Sequence, residues 1–270
     1  GSADVRGEQL AVLESECHAL LTSPKVSRLI ERAQAGAAQL EDWQLANLRE
    51  MRRERDHAIA TPLSLVTRLA RATAVAEVRW LEAKQESNFA LFAPHLEEVV
   101  ALTRDKALVL SQALGLSPYD SLIDGFSPGF LSAEIDQLFR VVSRRLPNLI
   151  REVIELQAAR PPLPLLGKVG ASKQRSLAVE VMRALGFPFD RGRLDESDHP
   201  FTEGVNGDVR VTTRFDLKEP FTGLMGVLHE TGQAMYDLGL PEAWRDQPVG
   251  RDRGMALEES QSLLLEMIIG

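Results

Sequence analysis

Between about Glu8 and Arg160, residues such as Leu63, Val66, Leu69, Ala70 and Thr73 fall three and four apart, and strand-like alternation is absent. A run of that length restricts the first half of the chain to packed amphipathic helices. Helix limits are legible within it. Ser23-Pro24, Thr61-Pro62 and Ser132 with Glu134-Ile135 predict entries, and Gly115 and, further on, Gly186 predict exits. Pro147 interrupts the periodic stretch from Leu131 to Arg160; it lacks a donor and crowds the preceding turn, which predicts a kink or break near Leu146.

The segment Arg160-Pro161-Pro162-Leu163-Pro164 disfavours helix before each proline and predicts an extended crossing. It divides the expected single, mainly α domain of 1–270 into a helical scaffold, 1–160, and a motif-bearing region, 161–270. A helix is expected at roughly Ser172 to Leu185. The period then changes. Asn206-Gly207 is a tight-hairpin signal, and Asp208-Val209-Arg210-Val211-Thr212-Thr213-Arg214 alternates after it, so a small hairpin or sheet is expected there. On a two-residue period Asp208, Arg210, Thr212 and Arg214 share one face, with Val209, Val211 and Phe215 on the other.

Composition narrows the functional classes. The 270 residues are 44% hydrophobic, enough for a substantial core, and the net charge of -8 comes without a long basic run. Nucleic acid and anionic membrane surfaces are therefore not expected as partners. No apolar run approaches the roughly 18 residues that span a bilayer, and the opening Gly1-Ser2-Ala3-Asp4 is polar. Cys17 is the single cysteine, so no internal disulfide can form and a cytoplasmic setting is expected. Trp80, Trp244, Tyr119, His18, His57 and His95 fall at positions where packing or solvation is the expected role.

Pro220 predicts the first turn of a helix whose Phe221, Leu224, Met225, Leu228 and Met235 trace one buried stripe. His229 and Glu230 lie inside it. In zincin helices two histidines four residues apart grip zinc, and the glutamate beside the first activates water at the metal. His229-Glu230-Thr231-Gly232-Gln233 supplies the first histidine and the glutamate only. By itself the pair reads first as the polar edge of a core helix.

Four ordered motifs carry a resemblance: His199-Pro200-Phe201, Asp208-Val209-Arg210-Val211-Thr212, His229-Glu230-Thr231-Gly232 and Glu259-Ser260-Gln261-Ser262. Together they resemble the M32 family of metallocarboxypeptidases, the thermostable carboxypeptidase type, whose pattern is His-Pro-Phe, Asp-x-Arg-x-Thr, His-Glu-x-x-His and His-Glu-Ser-Gln-Ser. The spacing of 259 − 229 = 30 residues agrees with that family. Ser117-Pro118-Tyr119-Asp120 and Asp124-Gly125 extend the likeness upstream.

The resemblance implies a helical zincin-like fold with a small sheet beside the active-site helix. It implies zinc, or cobalt or another divalent metal, held by His229, the residue at 233 and Glu259, with Glu230 as the catalytic carboxylate. It implies a peptide substrate trimmed from its C-terminus, with His199, Asp208, Arg210 and Thr212 lining one end of the groove. Arginine's planar fork suits capture of a terminal carboxylate, which makes Arg210 the candidate. A homodimer is implied as well.

The chain departs from the pattern at two positions. Gln233 stands where the family has its second histidine, and its neutral amide is a poorer zinc donor than imidazole. Glu258 stands where the family has the histidine before Glu259; it could join the ligands or raise the pKa of neighbouring carboxylates. The family's later motifs are absent, and the likeness implies a fragment of the full fold. Two readings stay open: a metallocarboxypeptidase with weakened metal affinity, or a catalytically silent fold that keeps only peptide or partner binding.

Overall fold

The computed structural model describes residues 2–160, 167–205 and 207–269. They form a mainly α protein with one small sheet, as the residue pattern predicts. Two compact units are present: residues 1–125 with 130–132, and residues 126–129 with 133–270.

The first unit contains α1 (Ser2–Leu21), α2 (Pro24–Ala35), α3 (Asp42–Ala60), α4 (Leu63–Gln85), α5 (Phe89–Leu114) and most of α6 (Pro118–Phe126). Its core is Leu65, Ala72 and Leu102, with Leu69, Val99 and Val109 packed around them. α4 buries Ala72, Ala74, Ala76 and Ala83, small residues that let neighbouring helices approach closely. Ser23 caps α2 by accepting a hydrogen bond from the Val26 amide, and Gly115 closes α5 in the left-handed conformation at φ 69°. His18 Nε2 lies 2.9 Å from the carbonyls of Ala58 and Thr61, and His57 pairs with Asp124 at 2.7 Å, so both serve packing between helices.

The second unit holds all but the first residue of α7 (Ser132–Ala158), together with α8 (Ala171–Ala184), β1 (Gly192–Glu196), β2 (Phe201–Val205), β3 (Asp208–Thr213), α9 (Pro220–Gly239) and α10 (Met255–Ile269). α7 runs unbroken through Pro147, so of the kink or break expected near Leu146 the break is not there. The whole surrounding stretch is exposed, and water can satisfy the carbonyl that Pro147 leaves without a donor. Of the extended crossing expected at 160–164, residues 161–164 lie outside the described residues.

The sheet order is β1-β3-β2, with β1 parallel and β2 antiparallel to β3. Val205 pairs with Asp208, leaving two residues in the turn. Gly207 takes φ 87°, a conformation that tight hairpins demand of that position; its partner Asn206 lies outside the described residues. Val209 and Val211 are buried as the alternation predicts, together with Leu194, Met182, Phe187, Ala178, Val227 and Ala234, and this cluster is the core of the unit. Among the described residues no helix is long and apolar enough to cross a membrane.

Candidate metal and catalytic site

α9 packs against α10, β3, β2 and α8, and this many-sided clamp decides which of its residues are buried. The single apolar stripe expected from the sequence is only partly there: Leu228 is buried, Leu224, Met225 and Met235 are half-buried, and Phe221 is 60% exposed. The buried set is instead Gly223, Val227, Leu228, Glu230, Thr231, Gly232 and Ala234. Small residues replace large ones because backbones come against the helix. A Cβ at Gly232 would stand 2.5 Å from Ser262 Cα and 2.7 Å from the Gln261 carbonyl, so α9 and α10 touch main chain to main chain at that point.

That contact sets the register of the site. From about one turn before Gly232 and from the position directly after it, α9 presents His229 and Gln233 to Glu259 on α10. His229 Nε2 lies 3.3 Å from Glu259 Oε2, and Gln233 Nε2 donates to Glu259 Oε1 at 3.2 Å. Ser262 Oγ donates to Glu259 Oε2 at 3.0 Å, which fixes the carboxylate from its own helix. On the far side of the ring, His229 Nδ1 is 3.0 Å from Glu266 Oε2.

Glu230 is 6% exposed and is reached from the sheet: Thr202 Oγ1 on β2 donates to Glu230 Oε2 at 2.7 Å and approaches its main-chain oxygen at 2.9 Å. Burial pushes the Glu230 carboxyl above its ordinary pKa, and Glu259 pushes the same way. The Thr202 hydrogen bond and the charges of His229 and His199 oppose the rise without cancelling it. A buried carboxylate moved toward neutrality is suited to exchanging a proton with a reacting group.

The remaining sequence candidates are distributed differently. His199 is exposed, and its charge reaches Glu230. Thr212 is buried and binds Ser197 Oγ at 2.7 Å and the Phe201 amide at 3.1 Å, so it ties the strand ends together. Asp208 and Arg210 pair with each other, Arg210 Nη2 donating to Asp208 Oδ2 at 2.6 Å on a partly exposed face. Glu258 has its pKa raised by burial first, then by Asp237 and Asp252, ahead of Glu259 and Glu230. Its strongest charged neighbours are thus acidic residues beyond the His229–Glu259 pair.

Three side chains here were not read from the sequence as site residues: Thr202, Ser262 and Glu266. Ser262 and Glu266 follow Glu259 by three and seven residues, spacings that place them on its helix face. Thr202 carried no such signal, because only the folding of the hairpin onto α9 brings it to Glu230.

Two donors about 2.0–2.1 Å from a tetrahedral zinc ion stand roughly 3.3 Å apart, and His229 Nε2 and Glu259 Oε2 have that separation. Among the described residues no three of His, Cys, Asp and Glu converge as a metal-binding group. Beside this pair stands the neutral amide of Gln233, which would offer its oxygen in place of its nitrogen if the terminal amide turned over. The residues present fit a divalent cation held by two strong donors and one weak one.

A family model described as carboxypeptidase Taq (M32) metallopeptidase matches residues 1–270. Thermostable carboxypeptidase 1 of Thermus thermophilus is 34% identical across 98% of the chain and 54% of its own length. Carboxypeptidase 1 of Bacillus subtilis is 32% identical across 100% of the chain and 54% of its own. Among solved structures, metallocarboxypeptidase 1 of Trypanosoma cruzi superposes with a TM-score of 0.88 at 38% identity, covering 99% of the chain and 54% of that structure. The chain thus spans about half the length of the relatives it matches.

Proposed function

Since the chain belongs to the carboxypeptidase Taq (M32) metallopeptidase family, we propose that it carries the metal- and proton-handling part of a carboxypeptidase that removes C-terminal residues from peptides. The observation that carries this reading is the 3.3 Å approach of His229 to Glu259 across two helices, with the buried carboxylate of Glu230 beside it. His229, Glu259 and Gln233 would hold the cation, zinc in the first instance. When bound, a divalent cation supplies Lewis-acid polarisation of the scissile carbonyl.

The chain's own residues supply the rest. Glu230 accepts a proton from the attacking water and returns it to the departing amine, and burial, by raising its pKa, favours the protonated form that the second transfer needs. Thr202 holds one oxygen of that carboxylate, leaving the other for the exchange. Arg210, steadied by Asp208, is the group whose fork matches a terminal carboxylate. His199 and Thr212 would close the same end of the groove. A homodimer and a cytoplasmic setting complete the reading, carried over from the resemblance and the single cysteine.

One observation favours a second reading, a silent fold that binds peptides or a partner without cleaving them. Gln233 donates to Glu259 through its amide nitrogen, satisfying with a neutral hydrogen bond the carboxylate that a cation would otherwise engage. Loading with zinc or cobalt, dialysis, and measurement of both metal content and release of C-terminal residues from blocked dipeptides separates the two. A metallocarboxypeptidase retains metal and releases product. A silent fold does neither. Gln233→His is expected to raise zinc affinity by at least the 10- to 100-fold that lesser changes around metal ligands produce, read by competition with a chromogenic chelator. No gain would mean that His229 and Glu259 do not share a cation.

A further inference from the structure

Resting on the metallopeptidase reading, we propose that Glu266 is the positioning residue of His229, holding its ring so that Nε2 is the nitrogen offered to a cation. The ring is bracketed by two carboxylates of one helix. Glu259 faces Nε2 at 3.3 Å and Glu266 faces Nδ1 at 3.0 Å. They are 266 − 259 = 7 residues apart on α10, close to two full turns, so both project from one face toward the same α9 side chain.

An ionised carboxylate only accepts hydrogen bonds, so in the neutral ring the nitrogen facing its nearer and less engaged carboxylate carries the proton. Glu266 is the nearer of the two. Glu259 already accepts from Ser262 on Oε2 at 3.0 Å and from Gln233 on Oε1 at 3.2 Å. This geometry favours the tautomer in which Nδ1 donates to Glu266 and the Nε2 lone pair faces Glu259 and whatever cation joins it. Partners of this kind also hold the ring plane, and their loss typically lowers metal affinity 10- to 100-fold. A plain helix-to-helix tether makes a different prediction: it affects stability but leaves the choice of ring nitrogen alone.

The test compares wild type with E266Q, whose amide oxygen still accepts from Nδ1, and E266A, which offers no acceptor. Two quantities are measured: the ring 15N resonances of His229 in metal-free protein at a pH where the ring is neutral, and the affinity for Co(II) from its absorption spectrum. Wild type and E266Q are expected to show Nδ1 protonated and to bind Co(II) within a few-fold of each other. E266A is expected to lose that tautomer preference and to bind Co(II) 10- to 100-fold more weakly. Unchanged ring resonances and unchanged Co(II) affinity in E266A would overturn the role. If wild type binds no Co(II) while E266A still switches tautomer, the metallopeptidase reading fails and the positioning of His229 by Glu266 stands.

Discussion

Glu230→Gln is expected to lower turnover of a blocked dipeptide by about 10²- to 10⁴-fold, the range a positioned acid–base group contributes, with little change in metal content. The substitution keeps the shape of the side chain and an oxygen that Thr202 Oγ1 can still donate to. What it removes is the capacity to take and return a proton. The same change is expected to stabilise the metal-free protein. Burial raises the Glu230 pKa in the fold, so between the ordinary carboxylate value and the raised one the native state holds more protons than the unfolded chain. Stability then falls as pH rises through that window, and above it the ionised, buried carboxylate weighs fully against folding. Glutamine carries no such charge. The melting temperature of Glu230→Gln should therefore exceed that of wild type at neutral pH, and the two should converge in acid. Equal melting temperatures at both ends would mean that Glu230 is not desolvated as its 6% exposure implies.

The other large effect is steric. Gly232→Ala places a methyl group 2.5 Å from Ser262 Cα and 2.9 Å from the Ser262 amide nitrogen, and no flexible side chain is there to give way. Overpacking of this kind costs about 1–3 kcal/mol where a core can adjust, and a clash of main chain on main chain stands at the upper end of that range. The expected results are a lower melting temperature and, because α10 must shift away from α9, loss of metal retention even in protein that remains folded. Gly239→Ala, on the same helix with nothing within 4 Å of the added Cβ, is the control. Equal metal retention in the two variants would show that the helices tolerate separation without opening the site.

Much of this site was legible in the residues because family chemistry fixes residue types at fixed offsets: His229 and Glu230 side by side, Glu259 thirty positions on, and Asp208 to Thr212 alternating on a strand. The fold joins the first three. β3 announced itself through valines at alternate positions, whereas β1 and β2, Gly192–Glu196 and Phe201–Val205, have too little such patterning and exist because β3 offers them partners on both edges. The misread stripe of α9 has a similar origin. Periodicity marks large apolar residues, but this helix is gripped on several sides and buries glycine, alanine and threonine where its neighbours come closest. Sequence spacing also cannot say whether strand residues two apart face a groove or each other, and Asp208 and Arg210 face each other.

The dependence of the cluster on α10 has a thermodynamic consequence. One helix brings Glu259, Ser262 and Glu266 together, so a local opening that lifts α10 from α9 would dissolve the proposed cation site and free the His229 ring in a single event. Cation occupancy and the amide hydrogen-exchange protection of 255–269 are then two readings of one equilibrium. Each tenfold rise in free metal above its dissociation constant should slow exchange across that segment about tenfold, while leaving the helices of the first unit untouched.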